Sequence, residues 1–104
     1  MRERSARFEI ERPLRYRART AEGPVEGVGR TLNISKRGLL FEPDRPIEPG
    51  TKVDIEVRMS EGDGASPPIL LRVEGVTVRK QDGAAAVLVR KRKLRPARSA
   101  APAS

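Results

Sequence analysis

Apolar and charged residues alternate strictly along Val53-Asp54-Ile55-Glu56-Val57-Arg58-Met59, which predicts a strand with Val53, Ile55, Val57 and Met59 on its buried face. Pro49-Gly50 just before it is a turn signal. A Gly/Ser/Pro loop over Glu61 to Pro68 then closes a hairpin onto Ile69 to Arg79. There Leu71 and Val73 share one phase and Val76 and Val78 the other, so a β-bulge with one extra residue is expected at Glu74-Gly75. Gln81-Asp82-Gly83 turns the chain into a last strand, Ala84 to Val89. Upstream, Leu14 to Arg19 and Val25 to Ser35 read as strands around the turn Glu22-Gly23-Pro24. Leu39 to Glu42 makes a short one, ended by Pro43 and Pro46. Turn signals recur about every ten residues and no segment carries a sustained helical stripe, the pattern of a small all-β barrel or sandwich.

Charge divides the chain further. Of the 104 residues 22 are Lys or Arg and 14 Asp or Glu, a net charge of +8. The excess gathers at the ends: Arg2, Arg4, Arg7, Arg12, Arg15, Arg17 and Arg19 at one, Arg90, Lys91, Arg92, Lys93, Arg95 and Arg98 at the other. Residues 1–12 therefore read as an arginine-rich leader, 13–90 as the folded barrel, and 91–104, basic and rich in Pro, Ala and Ser, as a flexible, disordered tail. A basic surface suits polyanionic partners: nucleotide phosphates, nucleic acid or an acidic protein face.

The inventory narrows the chemistry. With no cysteine and no histidine, disulfides, thiolate sites and the commonest general base are absent. No cluster of carboxylate, lysine or tyrosine replaces them, so no catalytic residue, metal site or cofactor is expected. The longest apolar runs, Ile69 to Leu71 and Ala84 to Val89, are too short to cross a membrane as a helix, and no apolar stretch follows the first charges. A soluble cytoplasmic protein is the expectation. Its three aromatics, Phe8, Tyr16 and Phe41, leave the core mainly aliphatic.

One motif carries chemistry, Asn33-Ile34-Ser35-Lys36-Arg37-Gly38. Leu32 and Ile34 are expected to face the core, which turns Asn33 and Ser35 outward with an amide and a hydroxyl able to address a base edge. Gly38 would supply a positive φ or a close backbone approach, and Lys36 and Arg37 a charge suited to phosphate. The same residues also suit a plain turn.

In context the motif is more specific. Arg7-Phe8, Pro13-Leu14-Arg15-Tyr16, Gly29 through Phe41 and Pro49-Gly50-Thr51-Lys52-Val53 occur in an order and spacing that resemble the PilZ family, over roughly residues 2 to 90. The resemblance implies a six-stranded antiparallel β-barrel and cyclic di-GMP as the ligand. It further implies that Asn33, Ser35 and Gly38 contact the ligand with Arg7 and one of Arg2 or Arg4. Arginine suits that role, because its planar fork pairs bidentately with the O6/N7 edge of guanine or with a phosphate. The family's leader reads Arg-x-x-x-Arg; counting back from Arg7, the first position here falls on Glu3, with Arg2 and Arg4 beside it. Three functions follow: a second-messenger receptor that passes its state to an effector protein, an adaptor that binds protein and no nucleotide, or a barrel binding nucleic acid non-specifically through its basic ends.

Overall fold

A computed structural model describes residues 11–97. The alternations resolve into β1 (Pro13–Thr20), β2 (Gly23–Ile34), β3 (Gly38–Pro43), β4 (Lys52–Arg58), β5 (Ile69–Gln81) and β6 (Ala84–Pro96). Every neighbouring pair is antiparallel, and β4 pairs back onto β1, closing a barrel in the order β1-β2-β3-β6-β5-β4. No helix occurs among the described residues, so none is long and apolar enough to cross a membrane.

The core is the inward set the alternation predicts. Val53, Ile55 and Val57 of β4 are buried with Leu14 and Tyr16 of β1 and Leu71 and Val73 of β5, and Met59 packs against them half-buried. Phe41 fills the centre, its ring centroid 5.7 Å from that of Tyr16. The Asp82-Gly83 turn between β5 and β6 takes φ of 50° and 84°, the left-handed pair that a tight hairpin needs and that Asp-Gly tolerates.

Three expectations need correction. In β2 the register passes from Thr31↔Phe41 to Asn33↔Leu40, so Leu32 is a bulged residue, half-buried and not part of the core. Thr31 takes the inward place, fully buried; its N–H donates to the Arg12 carbonyl (2.9 Å), and its hydroxyl accepts the Arg12 N–H (2.9 Å). In β5 the alternation does not slip at Glu74-Gly75; the strand's own extra residue is Val78, where the pairing steps from Thr77↔Val87 to Arg79↔Ala86. Leu71, Val73, Gly75 and Thr77 all face inward, while Val76 and Val78 face out. The extra residue beside Gly75 lies on the opposite strand: the pairing steps from Glu74↔Lys91 to Gly75↔Val89, leaving Arg90 bulged. A Cβ at Gly75 would collide with the Leu88 carbonyl, so glycine lets the bent β6 come this close. Finally, the strand does not end at the expected boundary after residue 90. Lys91 through Pro96 continue β6, paired with Glu74 through Ile69, so the first part of the expected tail is sheet.

Alternating strand directions gather the connections at two ends. One holds the β1–β2 and β5–β6 turns and the long β3–β4 connection. The other holds the start of β1, the Ser35–Gly38 turn, the β4–β5 loop and the end of β6.

Candidate functional site

The second of these ends carries the motif. Asn33 follows the bulge at Leu32 and stands on the outward side between inward Thr31 and Ile34. Its amide makes no hydrogen bond among the described residues. Two residues on, Ser35 ties off the β2–β3 turn: its N–H donates to the Gly38 carbonyl (2.9 Å), and its hydroxyl accepts the Gly38 N–H (3.1 Å) and reaches the Gly38 carbonyl (3.3 Å). A serine that bonds its own backbone three residues on holds a tight turn without help from distant parts of the chain. Lys36 and Arg37 occupy the tip, exposed and without ion pairs among the described residues.

Gly38 differs from its expectation. It has no positive φ, and a Cβ built on it would sit 3.4 Å from Ser35 Oγ and 3.7 Å from the Val87 carbonyl oxygen, ordinary contacts. The packing of the barrel therefore does not require glycine here. Gly27 is the opposite case, because a Cβ there would meet Tyr16 Oη and Asp44 Oδ1 at 2.5 Å.

Two parts of the chain that the motif did not announce join it. The turn is docked on β6: the Val89 N–H donates to the Arg37 carbonyl (2.9 Å), and Arg92 Nη1 reaches the Ser35 carbonyl (3.5 Å). Arg92 thus adds a third exposed cation beside Lys36 and Arg37, from a run read as tail. The run has no apolar alternation to mark it as strand, and its partner Ser35 lies 57 residues away. Arg12 is the second addition. Its backbone brackets Thr31, its Nε donates to the Arg58 carbonyl (2.8 Å), and its Nη2 pairs with Glu61 (3.3 Å). That anchor brings the chain onto the barrel two residues from Asn33. Arg2, Arg4 and Arg7, and Glu3 with them, lie outside the described residues. The segment from Arg7 to Arg12 spans at most about 18 Å when extended.

The far end is chemically different. Tyr16 Oη donates to Asp44 Oδ1 (2.7 Å), and burial first, then that bond, pushes the tyrosine up to about 12. The same bond holds the Asp44 carboxyl below its ordinary value. Among the described residues no group of carboxylates is placed to hold a metal ion. What the motif end offers is a polar strand face, a rigid turn and several cations, an arrangement suited to a ligand with hydrogen-bonding edges and phosphates.

Comparison with known proteins agrees with the architecture. The family model described as PilZ domain matches residues 1–95. No curated protein and no solved structure matches the chain.

Proposed function

The chain belongs to the PilZ domain family, and from that premise we propose that it is a cyclic di-GMP receptor whose ligand binds at the end of the barrel carrying the Ser35–Gly38 turn. The supporting observation is convergence: Asn33, the turn, Arg92 and the Arg12 anchor of the leader meet at one end of the barrel. Asn33 addresses a guanine edge. Lys36, Arg37 and Arg92 attract the two phosphates. Gly38, free of any demand from the barrel, lets the ligand approach the backbone. Arg7, with Arg2 or Arg4, closes over the ligand from the leader, and the ordered leader offers an effector protein a changed surface.

Calorimetric titration of the full chain tests this, with GTP as the control. Cyclic di-GMP binds and GTP does not compete, because the linked phosphates and both guanines are used. Arg7→Ala costs about 2–5 kcal/mol as a lost desolvated charged contact, and Ser35→Ala about 1 kcal/mol through the turn it holds. One residue favours a second reading. Glu3 stands where the family's first leader arginine is expected, and a carboxylate in that role would oppose phosphate binding. In that reading the domain is an adaptor for protein alone. Absence of heat with cyclic di-GMP at high micromolar concentration selects it, and rejects the receptor.

A further inference from the structure

β6 outruns its neighbour on one side. β3 pairs with it only from Gly38↔Leu88 to Phe41↔Ala85, and from Lys91 to Pro96 its one strand partner among the described residues is β5. In an antiparallel strand successive residues turn their backbone groups alternately to the two sides. The Ala97 N–H donates to the Pro68 carbonyl (2.8 Å), on the β5 side. Counting back, Arg95, Lys93 and Lys91 address β5, and the N–H and C=O groups of Arg92 and Leu94 face the free edge. Pro96, without an N–H, stops that edge.

The side chains of this extension separate by face. Lys91, Lys93 and Arg95 stand opposite Glu74, Arg72 and Leu70 on the outer face, where they border a groove of about 440 Å³. None of the three makes an ion pair among the described residues. Arg92 and Leu94 stand opposite Val73 and Leu71 on the inner face, and Leu94 is left 62% exposed. A free edge with a large exposed aliphatic and unpaired cations at every second residue is a template for a strand of defined pattern.

Charge decides which strand. A second copy of β6 would set lysine and arginine against lysine and arginine, and like charges directly opposite are destabilising. The chain's own residues 1–10 would bring three arginines against two glutamates, again net positive. A nucleic acid would use the cations but leave Leu94 uncovered and the edge carbonyls without donors. We propose that the Lys91–Arg95 edge of β6 docks an extended acidic segment of a partner protein, with carboxylates at alternate positions and aliphatic side chains between them. The repeat of about 6.6–6.8 Å between every second residue of a strand matches its carboxylates to Lys91, Lys93 and Arg95, and its aliphatic residues cover Leu94. The cations that repel a second copy select this partner. The inference stands apart from the nucleotide reading and needs no ligand.

The probe is a fluorescein-labelled ten-residue peptide alternating glutamate and valine, titrated with the full chain by fluorescence anisotropy. A peptide of the same composition with its glutamates and valines in two blocks, and a ten-residue oligothymidylate, are the comparisons. The alternating peptide binds at least about tenfold tighter than either, since only it matches the strand repeat. Lys91→Glu with Lys93→Glu weakens it by at least about tenfold. Leu94→Pro removes an edge donor that β5 does not use and loses the peptide while keeping the oligothymidylate affinity. In the unsubstituted chain the peptide slows amide exchange at Arg92 and Leu94, a readout that decides the matter even if Leu94→Pro does not fold. Equal binding of the two peptides, tighter binding of the oligothymidylate, or unchanged exchange at Arg92 and Leu94 overturns the proposal.

Discussion

The barrel places one buried threonine near each end, and the two are used differently. Thr77, 1% exposed, turns its hydroxyl wholly inward: it donates to the Glu48 carbonyl (2.7 Å) and accepts the Thr51 N–H (3.0 Å), fixing the long β3–β4 connection over that end. The Gly50 N–H donates to the Thr77 carbonyl (2.6 Å), Ile47 of the connection is buried, and Tyr16 bonds Asp44 across Gly27. Thr31, 0% exposed, instead anchors the leader through Arg12, and around it the side chains of Asn33, Lys36 and Arg37 make no hydrogen bond or ion pair among the described residues. One end ties its buried polar groups to one another within the fold. The other holds polar groups and charge available to something else. On the proposed reading the first end serves stability and the second recognition, and substitutions separate the two.

The largest effect belongs to Thr77→Val. It leaves the Thr51 N–H without its acceptor, at about 1–3 kcal/mol for a buried group left unpaired, while the Glu48 carbonyl keeps the Thr51 hydroxyl (2.6 Å). A loss of about 1–3 kcal/mol in urea unfolding is expected, with the affinity of the folded fraction for cyclic di-GMP unchanged. A ligand affinity that falls along with stability would show that the ends are not separable.

Gly38→Ala reverses the pattern. The added methyl meets only ordinary contacts at 3.4 Å and 3.7 Å, so stability stays within about 0.5 kcal/mol. Affinity for cyclic di-GMP falls about tenfold, or about 1.4 kcal/mol, because the methyl stands where the ligand approaches the backbone. Unchanged affinity by calorimetry removes Gly38 from the site.

Tyr16→Phe is milder, about 1 kcal/mol for one hydrogen bond to an exposed carboxylate that water can resolvate. Its pH dependence sharpens the comparison. The Asp44 carboxyl is depressed in the folded chain, so its contribution is complete above the ordinary carboxylate range and is lost as pH falls through the lowered value. The Tyr16 hydroxyl is raised from 10.0 to about 12, so its contribution is complete below pH 10 and is lost as pH rises toward 12. The gap between parent and Tyr16→Phe in unfolding midpoint should be widest at intermediate pH and narrow at both extremes. A gap independent of pH contradicts the Tyr16–Asp44 pairing.

Much of this fold is legible in the residues. β4 could be read because every second residue from Val53 to Val57 is aliphatic and goes in. β5 misled at Val76 and Val78 because its true inward residues there are Gly75 and Thr77, one required by the close approach of β6 and the other by the loop its hydroxyl bonds. Neither reason is local. Leu32 misled similarly, since the bulge that displaces it is a matter of pairing with β3. The Ser35–Gly38 turn was readable because a serine and a glycine three residues apart close it on their own. Arg92 was not, for its place beside Ser35 follows from a strand extension with charge on both faces, held by pairing with Ile69 to Glu74.

Amide spectra of the ¹⁵N-labelled full chain, recorded during titration with cyclic di-GMP, test the division of the two ends most directly. The account predicts shifts at Asn33, Ser35 through Gly38, Val89 and Arg92, while Gly50, Thr51 and Thr77 stay fixed. Shifts centred on Gly50, Thr51 and Thr77, or no shifts at saturating ligand, would contradict it.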